Sequence, residues 1–229
     1  YSTYYSMVSI FTTLVGANLF IGLNSAYIDY RDEIHRVRAS LLVLSLLVFS
    51  VVCGCAMLIN HLCSLNVPAF MLIMALFHAY SFFVVNYFNY SANMENRYKI
   101  KTLFMLLPNV LQIFFSVTLI LMWPAFSLNA RIIGSVAGVA GCAICVMTYM
   151  LHGQSDIYRK EYWIYALKIS VPSVLSSISY MLMQQSDNIM ITSFYSAEDT
   201  AVYALVYNVG YILYAVMQAT SGVWQAWIY

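Results

Sequence analysis

Three stretches of this chain carry hydroxyl and amide side chains at steps of three and four inside runs that are otherwise apolar. The first holds Ser2, Ser6, Ser9, Thr13, Gly16 and Asn24, with Phe20 interrupting the series at its expected place. The second holds Ser170, Ser173, Ser177, Tyr180, Gln184 and Asp187. The third holds Tyr203, Tyr207, Tyr211, Tyr214, Gln218, Ser221 and Gln225, with Thr200 in line at its start. A helix turns by about 100° per residue, so each series falls on one helix face. In hydrocarbon such a face has to meet protein or a water-filled cavity, because lipid offers it no hydrogen bonds. For the first series two readings stand: small residues gluing helices together, or a cavity wall. For the third, a polar-walled cavity is the stronger reading. Tyrosines are too bulky for close helix contact, and each pairs an apolar ring with a hydroxyl suited to a wet surface.

Single residues sharpen or limit this chemistry. Asp187 is the one acid close to the apolar part of any stretch, beside Gln185, Ser186 and Asn188. It reads as a solvated helix end or as the site of a coupling H+ or Na+. Pro172 interrupts the second series, removes one backbone hydrogen bond and favours a kink that could act as a hinge. His78 stands in mid-stretch with no second His or acid near it in sequence, and reads as a hydrogen-bonded core histidine. Arg36 and Arg38 belong to a mixed-charge segment, Asp29 to Arg38, which is either a solvated connection or a pair of cations meeting anionic head groups. Cys142 and Cys145 have zinc-like spacing but lack a second Cys or His pair, so they read as buried small hydrophobes, as do Cys53 and Cys55. No metal and no cofactor is expected.

The elements that position these residues follow from composition. Of 229 residues, 62% are apolar and 8% charged, where a soluble domain carries about a quarter charged. Runs free of Asp, Glu, Lys and Arg cover 1–28, 102–130, 132–155 and 200–229, each long enough for one membrane-crossing helix. Residues 39–94 suffice for two, divided by the turn from Asn60 to Asn66 before Pro68, and 163–186 supply another past Lys168, whose stem can snorkel. The prediction is an all-α, polytopic transmembrane bundle of about seven spans. Solid apolar runs without alternation exclude a barrel.

Nine of the ten Lys and Arg residues form three clusters: Arg31, Arg36 and Arg38; Arg97, Lys99 and Lys101; Arg159, Lys160 and Lys168. The other connections hold only Arg131. By the positive-inside rule the three basic connections face the cytoplasm and residue 1 lies outside. There is no basic field for nucleic acid and no signal peptide. The outside start, the odd span count and the lack of an initiator Met lead to the expectation of an internal part of a longer chain.

The stretch from Tyr162 to Pro172, then Gln185 to Ile191, then Ala201 to Gly210, resembles the bacterial O-antigen and capsular polysaccharide flippases. These belong to the multidrug/oligosaccharidyl-lipid/polysaccharide exporter superfamily. Trp224 to Tyr229 is similar to the close of that family's eighth helix, Tyr4 to Ile10 to the start of its second, and Asn93 to Tyr98 to its fourth-to-fifth inner loop. Family members often place a basic residue after the Asp, where this chain has Asn188. The resemblance implies helices two to eight of a two-lobe transporter with twelve to fourteen. Residues 1–155 would then be the remainder of the N-terminal lobe with five spans, and 156–229 the start of the second with two.

The implied activity is translocation of undecaprenyl-diphosphate-linked oligosaccharide across the bacterial inner membrane by alternating access, without enzymatic chemistry. The implied cavity residues are Asn24, Ser173, Ser177, Tyr180, Gln184, Tyr203, Tyr207, Tyr211, Tyr214 and Gln218, with Arg36 and Arg38 as inner-mouth candidates for the diphosphate. Implied partners are the lipid-linked oligosaccharide, membrane lipids, and the polysaccharide polymerase and chain-length machinery. The alternatives are a multidrug or organic-cation exporter of the same superfamily, a membrane-embedded polysaccharide-processing enzyme, and a seven-helix receptor.

Overall fold

The computed structural model describes residues 2–62, 68–152 and 158–194, together with positions 203, 206, 209, 210, 213, 217, 220 and 224. The described chain is helical, with no strand among the described residues. Its helices are α1 (Ser2–Gly16), α2 (Leu19–Asp29), α3 (Ile34–Leu62), α4 (Ala69–Met94), α5 (Tyr98–Met122), α6 (Ser127–Leu151) and α7 (Lys160–Phe194). Single 3-10 turns at Arg31–Glu33 and Pro124–Phe126 join α2 to α3 and α5 to α6. Five segments are long and apolar enough to cross a bilayer: Met7–Asp29, Arg31–Leu62, Ala69–Met94, Tyr98–Met122 and Ser127–Leu151. The protein is an all-α polytopic membrane bundle. The sixth expected span falls on α7, which at 35 residues has ample length but a more polar composition. The seventh lies outside the described residues except for isolated positions, each of them helical.

The chain divides into two compact units, Tyr1–Val174 and Leu175–Tyr229. In the first, α4 is the central helix and packs on α1, α2, α3, α5 and α6. It carries a buried column through Ala75, Ala79, Tyr80, Phe83, Val84, Tyr87 and Phe88. The side chains facing outward are large and apolar, among them Val51, Leu106, Val110, Ile113 and Leu121. That inversion suits a lipid solvent, in which helices associate through close packing and polar contacts. The tightest pairing is α5 with α6. A Cβ on Gly138 would stand 2.5 Å from the Gln112 nitrogen, and one on Gly134 would stand 2.6 Å from the Ser116 nitrogen. Gln112 and Ser116, one turn apart, thus meet Gly138 and Gly134, one turn apart. A glycine spaced four from another lets two backbones touch in this way.

Three expectations need correction. The first span is two helices: Ala17 (φ 41°) and Asn18 (φ 50°) adopt left-handed backbone, ending α1 and restarting the chain as α2. Arg131 does not sit in a connection; the turn comes earlier, at Trp123 to Phe126, where Pro124 starts the 3-10 turn, and Arg131 lies inside α6. The proline was the better boundary signal than the charge. Among the described cysteines only Cys142 is buried, whereas Cys55 and Cys145 are exposed and Cys53 is half-buried. In lipid, an exposed thiol on a helix flank carries none of the penalty that a charged group would. Cys63 lies outside the described residues.

Candidate functional site

The polar series of the first span does not form one continuous face. Ser9 is exposed and Thr13 half-buried, their helix-internal bond running from Thr13 Oγ1 to the Ser9 carbonyl. Gly16 instead presses on the ring of Phe83, and Asn24 is buried in α2 with its Oδ1 lacking a partner among the described residues. The left-handed residues between them reset the phase of the helix. The break lies in the middle of the Met7–Asp29 span. Backbone of this kind at membrane depth persists only where protein or a wet cavity serves its polar groups. Here one partner is clear: Asn18 Nδ2 donates to the Ser173 carbonyl at 3.0 Å.

Ser173 directly follows Pro172, the residue expected to weaken α7. Proline removes one donor from the helix ladder and kinks its path. The break in the first span and the proline-bearing turn of α7 are therefore joined by a side-chain bond. Asn18 was not among the expected site residues. The signal for it was present as Gly-Ala-Asn within an apolar run, since Asn is one of the few residues that tolerates left-handed backbone.

The α7 series splits by environment. Ser170 is fully buried, and with Ala166 it faces Gly22 of α2, where a Cβ would lie 3.0 Å from Ser170 Oγ. That contact is close helix packing. Ser173 turns its hydroxyl to the Ser170 carbonyl at 2.6 Å. Further along, Ser177 is half-buried and Tyr180 is exposed by 45%. Gln184 and Asp187 lie on the helical course of α7, but their side chains fall outside the described residues. Tyr203 is helical and half-buried. Tyr207, Tyr211, Tyr214 and Gln218 lie outside the described residues. His78 is fully buried and bonds Tyr4 Oη through Nδ1 at 3.0 Å, as a core histidine would.

At one end of the first unit the three basic clusters converge, as a shared membrane side requires. Arg38, only 8% exposed, pairs with Glu95 at 2.8 Å and donates to Ser91 Oγ at 3.1 Å. The other oxygen of Glu95 takes Arg97 Nε at 3.1 Å, and Arg97 also reaches Tyr149 at 3.3 Å. Tyr149 and then Glu95 hold the Arg97 guanidinium above its ordinary pKa. Tyr27 Oη completes this group on Ser91 Oγ at 2.8 Å. A second group forms around Glu33, which accepts from Arg159 at 3.3 Å and from Tyr162 Oη, with Arg36 at 3.8 Å. Burial, and then Glu33, raise the Tyr162 phenol, so it remains a donor at neutral pH. Of the two inner-mouth candidates, Arg36 is half-exposed and Arg38 is locked into the bundle. Among the described residues no group of three His, Cys, Asp or Glu side chains could hold a metal.

These features define a helical membrane protein with a broken span and one densely ion-paired end. A family model described as "polysaccharide biosynthesis protein" matches residues 1–224, and the chain belongs to that family. Searches of curated proteins and of solved structures found no match.

Proposed function

We propose that the protein moves lipid-linked oligosaccharide from the inner to the outer leaflet of the bacterial cytoplasmic membrane by alternating access, as a transporter and not an enzyme. Family membership supports the polysaccharide cargo. The observation that carries the transport reading is the broken first span, tied at mid-depth to the proline of α7 through Asn18 and Ser173. Interrupted helices near the bilayer midplane are a recurrent way of building a carrier site, because they bring free backbone dipoles to the cargo. The serine, tyrosine and glutamine series of α7 and of the stretch 200–229 would bind sugar hydroxyls, with Asp187 as the site for a coupling H+ or Na+. The lipid diphosphate needs cations, for which Arg36 at the inner mouth is the exposed candidate. Polymerase and chain-length proteins are the expected recipients of the cargo.

The test is reconstitution of the full-length protein in vesicles holding a fluorescent undecaprenyl-diphosphate oligosaccharide. Translocation is read as the fraction of glycan reached by an impermeant lectin. Protein-dependent exposure of the inner-leaflet glycan is the expected result. Efflux of cationic dyes with no glycan movement would overturn the proposal in favour of the exporter alternative.

A further inference from the structure

Away from α1, α2 and α7, two adjoining hollows open on the α3–α6 side of the ion-paired end. The first, about 600 Å³, is of mixed polarity and is lined by His35 and Arg38 of α3 and by Cys145, Thr148, Tyr149, Met150 and His152 at the end of α6. The second, about 320 Å³, is walled mainly by apolar side chains, with Phe88, Leu103, Phe104 and Val146 among them. Arg38, Cys145 and Tyr149 line both, so the two are continuous along one flank of the lobe. Tyr149 and Leu103 are more than half exposed, which places the apolar hollow where acyl chains would meet it.

The charge balance of this pocket is positive. Glu95 is its one carboxylate, and that carboxylate is shared between Arg38 and Arg97. One guanidinium charge is therefore left over. Arg38 is more than nine-tenths buried, spends Nη1 on Glu95 and Ser91, and has an Nε with no hydrogen-bond partner among the described residues. A buried guanidinium N–H without an acceptor costs on the order of 1–3 kcal/mol unless a ligand or water supplies one. Two imidazoles, His35 and His152, stand at the mouth and add N–H donors, while the Thr148 hydroxyl is spent on the Ile144 and Cys145 carbonyls.

We propose that this two-part pocket binds an anionic glycerophospholipid of the cytoplasmic leaflet, with its phosphate among His35, Arg38 and His152 and one acyl chain along Phe88, Leu103 and Phe104. Basic pockets between membrane helices on the cytoplasmic side recognise phosphate head groups in this manner. The proposed function assigns none of these residues to the cargo, so the site stands whether or not the transported molecule is a glycan lipid. Bound there, the lipid bridges α3, α4, α5 and α6 and stiffens the ion-paired end.

The test compares thermal unfolding of the full protein in detergent with added phosphatidylglycerol, with phosphatidylcholine, with inorganic phosphate and with a polyprenyl phosphate. Phosphatidylglycerol is expected to raise Tm more than phosphatidylcholine does. His35→Ala/His152→Ala is expected to bind phosphatidylglycerol about tenfold more weakly, from the loss of two donors to a charged group, with lipid-free Tm unchanged. Ala92→Leu, which narrows the apolar hollow, should weaken chain-bearing ligands and leave inorganic phosphate unaffected. Equal shifts with the two phospholipids overturn the assignment, as does full retention of the difference in the double variant. Stabilisation by inorganic phosphate alone, or preference for the polyprenyl phosphate, also overturns it.

Discussion

The contact between α5 and α6 offers the sharpest quantitative test. A methyl group on Gly138 would sit 2.5 Å from the Gln112 nitrogen and 2.7 Å from the Leu111 carbonyl carbon, where ordinary contact begins at 3.4 Å. Both obstacles are helix backbone and cannot rotate away. Gly138→Ala therefore has to push α6 off α5 by about 0.9 Å, and a gap of that size forfeits a quarter to a half of each dispersion contact it opens. The expected cost is about 1–3 kcal/mol. Gly134→Ala needs a retreat of about 0.8 Å from Ser116 and should cost nearly as much. The two glycines face the same helix, so the displacement forced by one methyl makes room for the other. The double variant should then fall within about 0.5 kcal/mol of Gly138→Ala alone, well short of the sum. Gly141, whose Cβ would meet nothing within 4 Å, is the control, and Gly141→Ala should be neutral or slightly stabilising through helix propensity. Equilibrium unfolding in mixed micelles, followed by tryptophan fluorescence, measures all four. Additive losses, or a Gly141 variant as damaged as Gly138→Ala, would refute the rigid-displacement argument.

Further expectations concern the ion-paired end and the broken span. Glu95→Ala strands the buried Arg38 guanidinium and should cost about 3 kcal/mol in the same unfolding assay, the low end for a broken buried pair because Ser91 Oγ remains as acceptor; Arg38→Met/Glu95→Gln should recover most of that loss. Asn18→Gly keeps the left-handed backbone and loses the bond to Ser173, so it should cost about 1 kcal/mol. Asn18→Ala adds backbone strain and should cost about 1 kcal/mol more, and equal losses in the two variants would mean that the φ of 50° does not matter. Pro172→Ala should slow glycan translocation severalfold if the kink serves as a hinge, whereas an unchanged rate in the vesicle assay removes that role. Cysteines substituted at Tyr180, Tyr207 and Tyr211 should react with an impermeant thiol reagent; a wholly inert set would deny the wet cavity.

Much of the fold was legible because a bilayer leaves a chain few options. A backbone in hydrocarbon has to satisfy itself, so charge-free runs of sufficient length become helices, and the helix Ala69–Met94 follows from that. The gathering of the basic clusters at one end was legible for the same reason, since cations share a side of the membrane whatever their separation in the chain. The pairing of Arg38 with Glu95 and of Arg159 with Glu33 was not. Those pairs span 57 and 126 positions, and only the packing of α3 on α4 and the return of the chain to α7 determine which carboxylate meets which guanidinium.

The polar series shows where periodicity stops being informative. Counting by threes and fours assumes one unbroken helix, and two left-handed residues are enough to separate Ser9, Thr13 and Gly16 from Asn24. Spacing also gives a face without saying what it meets. Ser170 and Ser173 stand three apart on α7, yet the first is packed against Gly22 while the second offers its carbonyl to Asn18. The Gln112 and Ser116 face of α5 carries polar residue types one turn apart, yet it is a seat for Gly134 and Gly138. What distinguishes helix contact from cavity wall is the partner residue. A glycine opposite a serine means contact, because only the missing Cβ admits that approach. A tyrosine exposed by 45% on a polar face, as Tyr180 is, is not packed in that way.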